Sequence, residues 1–185
     1  MKLTYYTGDG VELMPAEASL YGTNDVLRQM VRASLRRFVA EHAELLRGRV
    51  LDYGCGRPGT CAIPSPYRSL LSECEYVGWD VGETEPKGYF DAVLCTQVLQ
   101  HADDPGRLLF NFRDYLKLGG ALVLTAPALW EEIELEQWRF TLQGLWALAH
   151  RAGFQVLEKR SLCSVVLDRS LTLSVVNGIV ARRAK

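Results

Sequence analysis

Four short apolar runs constrain the fold of this chain more than any other feature. They are RVLDYG at 49–54, EYVGWDV at 75–81, FDAVLCT at 90–96 and GGALVLTAP at 119–127. Their length and composition are typical of buried strands. A helical pattern that includes Leu108, Leu109 and Phe112 separates the last two runs, and strands separated by helices pair in parallel. We therefore expect an α/β fold built around a mostly parallel sheet.

Helical and strand patterns continue on both sides of these runs. Asn24 or Asp25 can cap a long amphipathic helix expected over 24–47, and Thr141 can cap a later helix that Gly153 ends before FQVL. The tail SLTLSVVNGIVARR fits an edge strand or a short helix, and we favour the strand. One domain over 1–185 is expected, with a loose N-terminal arm (1–23), the leading helix (24–47), a core (49–157) and a C-terminal part (158–185).

Composition excludes several functional classes. With 21 Lys and Arg against 22 Asp and Glu, the chain lacks the basic excess of a nucleic-acid partner. No apolar stretch is long enough to cross a membrane and no signal core is present, so a cytoplasmic protein without a membrane partner is expected. The 5 cysteines have irregular spacing without a C-x-x-C pair, which indicates neither a disulfide framework nor a metal site.

The glycine-rich segment after the first strand is the first candidate ligand site, because ligands of open parallel sheets bind beyond the strands' carboxyl ends. Glycines at 54, 56 and 59 match G-x-G-x-x-G, a weak signal that would also suit a dinucleotide. Asp52, however, would repel a pyrophosphate and attract an ammonium or a sulfonium. Asp80, at the end of the second strand, can accept the hydroxyls of a ribose. The two acids favour a cationic adenosyl ligand over NAD.

Five motifs, in this order, resemble those of class I S-adenosylmethionine-dependent methyltransferases. They are VLDYGCG, YVGWD, FDAVLCTQVLQHADDP, LKLGGALVLTAP, and WRFT followed by GL and AGF, and they span about 49–157. The resemblance implies a Rossmann-like methyltransferase sheet, S-adenosyl-L-methionine as cofactor, no metal, and a small-molecule methyl acceptor. It implies cofactor contacts from Asp52, Tyr53, Gly54, Cys55, Gly56, Asp80, Val81, Thr96, Gln97 and Val98.

The chain departs from this family after Asp80. Only nine residues, 81–89, precede the next strand, whereas a parallel crossover takes a dozen or more. We therefore expect one helix and one strand to be missing, which exposes an edge of the Asp80 strand. The adenine contacts would then come from Val81 to Glu85 or from another chain, and a homodimer is the simplest cover. Three prolines also leave only PYRSLL, at 66–71, to form a helical turn after the glycine loop.

Two classes of function follow. The first is methyl transfer to an oxygen or nitrogen of a small molecule, with His101 near the substrate pocket as a candidate base; a structural hydrogen-bonding role for His101 is the alternative. The second is a non-catalytic methyltransferase-like binding module or assembly subunit with a degenerate cofactor site, which the short crossover favours.

Several other groups have two interpretations each. Arg28, Arg32 and Arg36 form one stripe on the first helix, either solvated and paired with Glu41 or Glu44 or facing an acidic substrate or partner. The glutamates of EEIELE, at 131–136, form a surface loop or a lid that admits a cationic substrate. Tyr5 and Tyr6 either close over the cofactor or belong to a disordered arm. Cys55 and Cys95 are assigned to packing.

Overall fold

The structure, a computed structural model, describes residues 3–7, 12–16, 24–56, 65–84, 86–128, 138–168 and 171–184. The strands are β1 (Leu3–Thr7), β2 (Glu12–Ala16), β3 (Gly48–Tyr53), β4 (Cys74–Trp79), β5 (Phe90–Thr96), β6 (Leu116–Pro127), β7 (Phe154–Asp168) and β8 (Leu171–Arg183). The helices are α1 (Asn24–Glu41), α2 (Pro105–Tyr115) and α3 (Leu142–Arg151). No helix in these described ranges is long and apolar enough to cross a membrane.

All of these strands belong to one sheet, in the order β2-β1-β7-β8-β6-β5-β3-β4. β4, β3, β5 and β6 pair in parallel. β8 lies antiparallel between β6 and β7, so β7 and β2 run with the parallel strands, and only β1 and β8 run against them. The expected mostly parallel, Rossmann-like sheet is confirmed, and the ambiguous tail is a strand, although it lies inside the sheet rather than at its edge.

The short crossover after Asp80 has the predicted consequence. Residues 80–84 and 86–89 form turns and bends without a strand or a helix, and β4 ends the sheet. The Trp79 indole donates to the Thr84 carbonyl over 3.0 Å, which folds this segment back on the end of β4. After the glycine loop, residues 65–71 contain only the short 3-10 turn Arg68–Leu70. This agrees with the expectation that the three prolines leave room for no more than a helical turn at 66–71.

The N-terminal arm differs from its prediction. It was expected to be loose, but β1 and β2 pair with each other and β1 extends the sheet along β7. The unpaired edge of β7 is the physical reason, because an exposed strand edge offers backbone groups to any extended segment. Tyr5 and Tyr6 thus lie on β1, four strand spacings, or about 19 Å, from β5. This placement contradicts the expectation that they close over the cofactor.

α1 covers one face of the sheet, whereas α2 and α3 pack on the other. Buried apolar residues line the inner side of α1 at helical spacing, namely Met30, Val31, Leu35, Phe38 and Val39. The helix ends at Glu41, earlier than the predicted boundary at 47, because the His42 side chain and the Phe38 carbonyl form a hydrogen bond of 2.8 Å that caps its last turn. Gly178 of β8 lies so close to α1 that an added Cβ would be 2.9 Å from the Phe38 ring.

We predict that Gly178→Val destabilises the fold by about 1–3 kcal/mol, because the added carbons overpack the contact between α1 and β8. Valine itself suits a strand, so the cost comes from Phe38. Urea unfolding of Gly178→Val, Phe38→Ala and the double variant tests this, and the double variant should be clearly more stable than the sum of the two losses implies. Additive losses would show that α1 does not rest on Gly178.

Candidate functional site

Left-handed glycines turn the chain sharply where β3 ends. Gly54 and Gly56 have φ of +79° and +75°, a region that other residues adopt at a cost. The amides of Gly54 and Cys55 both donate to the Trp79 carbonyl, over 2.8 and 3.1 Å, which fixes the loop against β4. A Cβ at Gly54 would lie 2.1 Å from a methyl group of Val98. Position 54 therefore requires glycine for both its backbone and its packing.

Asp52 lies beneath this loop and is almost fully buried, with 1% of its surface exposed. Its Oδ2 accepts hydrogen bonds from the Ser65 hydroxyl at 2.5 Å and from the Tyr76 hydroxyl at 2.8 Å. None of the described residues gives it a cationic partner. Burial raises the pKa of Asp52, and the two hydroxyls oppose that rise. Such a carboxylate favours a ligand that carries a positive charge to it.

The end of β5 forms the neighbouring wall. Gln97 has φ of +56°, and among the described residues no other non-glycine residue has a positive φ. Its backbone amide donates to the Thr125 carbonyl over 3.1 Å, and its side-chain amide donates to the Thr125 hydroxyl over 3.2 Å. Thr96 hydrogen bonds the Tyr67 hydroxyl, and burial raises the pKa of Tyr67 to about 12. A strained residue held on both sides is typical of a ligand site.

A cavity of about 540 Å³ opens between these segments and α1. Its lining residues are Arg32, Ala33, Arg36, Asp52, Gly54, Cys55, Gly56, Ser65, Pro66, Tyr67, Thr96 and Gln97. Six of the predicted cofactor residues, Asp52, Gly54, Cys55, Gly56, Thr96 and Gln97, are thus brought together. Sequence reasoning missed Ser65, Tyr67 and Tyr76, because a hydroxyl that meets Asp52 or Thr96 through the fold carries no local motif.

Asp80 and Val81 lie outside the cavity lining, at the end of β4. Asp80 is partly buried, and its Oδ1 accepts the Val81 amide over 2.8 Å. Burial and the charges of Asp52, Asp80 and Glu83 raise the pKa of Cys55, which places Asp80 near the glycine loop. Val81 is 76% exposed, whereas Glu85, the end of the expected adenine segment, lies outside the described residues.

Three other predicted site residues also lie outside the cavity lining. Val98 is partly buried and packs with the apolar core on the face that α2 covers. Tyr53 stacks on Trp79 at 4.3 Å between ring centroids and meets the edge of Phe112 at 4.8 Å, on the face that α2 covers.

His101 is exposed, with its Nε2 3.2 Å from the Gln100 amide nitrogen. Cys95 is fully buried, as packing requires, whereas Cys55 faces the cavity. The glutamates at 131–136 lie outside the described residues.

The donor set of the cavity fits the methionine half of S-adenosylmethionine. A buried carboxylate that no described residue pairs with a cation suits its ammonium, and a loop of left-handed glycines allows the close approach of a ligand to the backbone. Asp80 Oδ2 accepts no hydrogen bond from a described residue, so it is available to a ribose hydroxyl. These features agree with the cofactor expected from the sequence.

We predict that Asp52→Asn unfolds at higher urea concentration than wild type at pH 7 to 8, and that this advantage shrinks towards pH 4. Because folding raises the Asp52 pKa, the wild type loses stability as the pH rises through the folded-state value, and the loss is absent below the ordinary value of 3.8. Asparagine can still accept the two hydroxyls without a buried charge.

Asp91→Asn is the control of opposite sign. Lys117 and the Arg49 amide bind the Asp91 carboxylate and lower its pKa, so its stabilising effect is present at neutral pH and is lost as the pH falls. Asp91→Asn should therefore be less stable than wild type at pH 7 and equal to it at low pH. An Asp52→Asn protein less stable than wild type at every pH would contradict the account of Asp52.

Solved structures share the fold of this chain. The 1,6-didemethyltoxoflavin-N1-methyltransferase of Burkholderia thailandensis, with bound 1,6-didemethyltoxoflavin and S-adenosylhomocysteine, has 18% identity and a TM-score of 0.56 over 94% of this chain and 96% of that one. The magnesium protoporphyrin IX methyltransferase of Synechocystis, with bound S-adenosylhomocysteine, has 12% identity and a TM-score of 0.55 over 91% and 90%.

A third similar structure has a different activity. The [4+2]-cyclase SpnF has 18% identity and a TM-score of 0.54 over 81% of this chain and 80% of that one. No curated protein matches this sequence significantly. The family model of a methyltransferase domain, however, matches residues 27–173, most of the chain, and the chain therefore belongs to that methyltransferase family.

Proposed function

We propose that this protein transfers a methyl group from S-adenosyl-L-methionine to an oxygen or nitrogen atom of a small molecule. The observation that carries the proposal is Asp52, a buried carboxylate to which the described residues give no cation, at the base of a cavity beside the glycine loop. Membership of the methyltransferase family supports it. Further support comes from two structures of the same fold that contain S-adenosylhomocysteine.

Each part of the cavity has a role in this proposal. Asp52 binds the ammonium of the cofactor, the backbone of Gly54 to Gly56 surrounds its methionine half, and Asp80 binds its ribose. Thr96 and Gln97 line the wall beside the reacting atoms. The cofactor supplies a methyl group already activated on a sulfonium, so the protein mainly aligns the acceptor and accepts its proton.

His101 is the proposed proton acceptor. The Gln100 side-chain amide donates to the Gln97 carbonyl over 2.9 Å and lies 3.2 Å from His101 Nε2. An amide nitrogen donates and cannot accept, so in the neutral ring Nε2 accepts this hydrogen bond, and a methyl acceptor must displace the Gln100 amide from Nε2 to give its proton to His101. The ring is exposed and lies on the short 3-10 turn Leu99–His101, directly after the cavity wall formed by Thr96 and Gln97.

A non-catalytic methyltransferase-like module is the second candidate function. The specific observation in its favour is the missing helix and strand after β4, which leaves Val81 exposed where the adenine contacts are expected. A cyclase of the same fold also illustrates that a fold does not determine its chemistry. Cofactor binding and turnover distinguish the two candidates.

We predict that isothermal titration detects binding of S-adenosylmethionine and S-adenosylhomocysteine but not of NAD. Asp80→Ala should weaken both adenosyl ligands by about 1.5–3 kcal/mol, or about 10- to 150-fold, the usual loss of a hydrogen bond to a charged acceptor. Asp114→Ala is the matched control, because that carboxylate is exposed on α2 and pairs with its neighbour Arg113.

Absence of adenosyl binding at millimolar ligand would contradict the proposal and favour the non-catalytic module. The same titration at several protein concentrations tests whether a second copy of the chain covers β4 and completes the adenine site. A shared site makes the measured affinity depend on protein concentration. A monomer that binds with constant affinity would leave the adenine contacts to Val81 and its neighbours.

We further predict that His101→Ala lowers the rate of methyl transfer by about 10²–10⁴-fold, the usual contribution of a general base. Affinity for S-adenosylhomocysteine should not change. The assay measures S-adenosylhomocysteine release with an acceptor found by screening phenols and amines. His150→Ala is the control, since that exposed histidine stacks on Trp146 of α3. An unchanged rate in His101→Ala would leave His101 a structural role only.

A further inference from the structure

The arginine stripe of α1 borders the cavity. Arg32 and Arg36 are both among its lining residues. Glu41, one of the two partners expected for the stripe, pairs instead with Arg37 and Arg160. Both arginines are exposed, as the interpretation of a solvated face expects, but among the described residues neither pairs with Glu41 or Glu44.

Arg36 is held in place by the opposite wall of the cavity. Its guanidinium donates to the Pro66 carbonyl over 2.6 Å and to the Ser69 hydroxyl over 3.4 Å. Its charge and that of Asp52 both act on the Tyr67 hydroxyl, in opposite directions. Arg36 is therefore the arginine at the level of Asp52, where the methionine half of the cofactor is expected.

Arg32 differs from Arg36 because it has no hydrogen bond or ion pair with any described residue. It precedes Arg36 by one helical turn, about 6 Å along the axis of α1. Phe38, later in the helix, packs on Gly178, which pairs with Thr125 near the carboxyl end of β6, and His42, one turn further on, contacts Glu158 in the first half of β7. The start of α1 therefore lies at and beyond the carboxyl ends of the strands, and Arg32 lines the cavity one turn further out along α1 than Arg36.

We propose that Arg32 binds an anionic group, a carboxylate, on the methyl acceptor and thereby selects acidic small molecules. This inference rests on the proposed function and names its substrate class. A guanidinium presents a planar set of donors that matches a carboxylate in two parallel hydrogen bonds. The charge is opposite to that of the cationic acceptor that the glutamates at 131–136 suggested.

Titration of benzoate and benzamide into the protein saturated with S-adenosylhomocysteine tests this proposal, because the two probes share a ring and differ in charge. Wild type should bind benzoate about tenfold or more tightly than benzamide. Arg32→Gln should lose that preference and leave the affinity for S-adenosylhomocysteine unchanged. Arg151→Gln, the same change of charge at the exposed end of α3 on the opposite edge of the sheet, should keep the preference.

Three results overturn the proposal, and they are distinguishable. Equal affinities of wild type for the two probes would show that the cavity does not select a carboxylate. A weaker affinity of Arg32→Gln for S-adenosylhomocysteine, with the benzoate preference intact, would assign Arg32 to the cofactor's own carboxylate. Failure of wild type to bind S-adenosylhomocysteine would overturn the proposed function itself, and this inference with it.

Discussion

The burial of one carboxylate, Asp52, away from any cation of the described chain is the constraint on which the rest of this site depends. An ionised group removed from water is costly unless hydrogen bonds or an opposite charge compensate it. Ser65 and Tyr76 give Asp52 two hydroxyl donors, and the described residues give it no cation. The compensation is therefore partial in the free protein, and a ligand with a positive charge completes it. A ligand that compensates the charge of Asp52 therefore also stabilises the carboxyl end of β3, where this residue lies.

The surroundings of Asp52 also explain how residues 65–71, which form no α-helix, contribute to the site. Residues 65–71 fold as a short turn whose Ser65 and Tyr67 reach the ends of β3 and β5. Arg36 of α1 holds this turn through the Pro66 carbonyl. The cavity consequently has a carboxylate at its base and two guanidinium groups on the wall formed by α1. The carboxylate favours the ammonium of the cofactor, and a guanidinium favours an anionic group on the methyl acceptor.

The sequence predicts the parallel half of the sheet and the loop beyond it because both depend on local signals. Apolar β-branched runs indicate the strands, and a glycine that must adopt a positive φ, such as Gly54, indicates the turn. The short crossover after Asp80 was predicted from chain length alone. The β1–β2 hairpin was not, because LTYYT and ELMPA carry a weak strand signal and are ordered by the free edge of β7. Contacts such as Tyr76 with Asp52, and the side of α1 on which Arg32 lies, depend on the tertiary fold.

A crystal structure of the protein with S-adenosylhomocysteine is the most direct test of this account. We expect the ligand in the cavity between α1 and the glycine loop, with its ammonium at Asp52, its ribose at Asp80 and its sulfur beside Gln97. Arg32 should remain free of the ligand and face the open part of the cavity. A ligand bound elsewhere along the sheet edge, or one whose ammonium does not contact Asp52, would contradict the central role of the buried carboxylate.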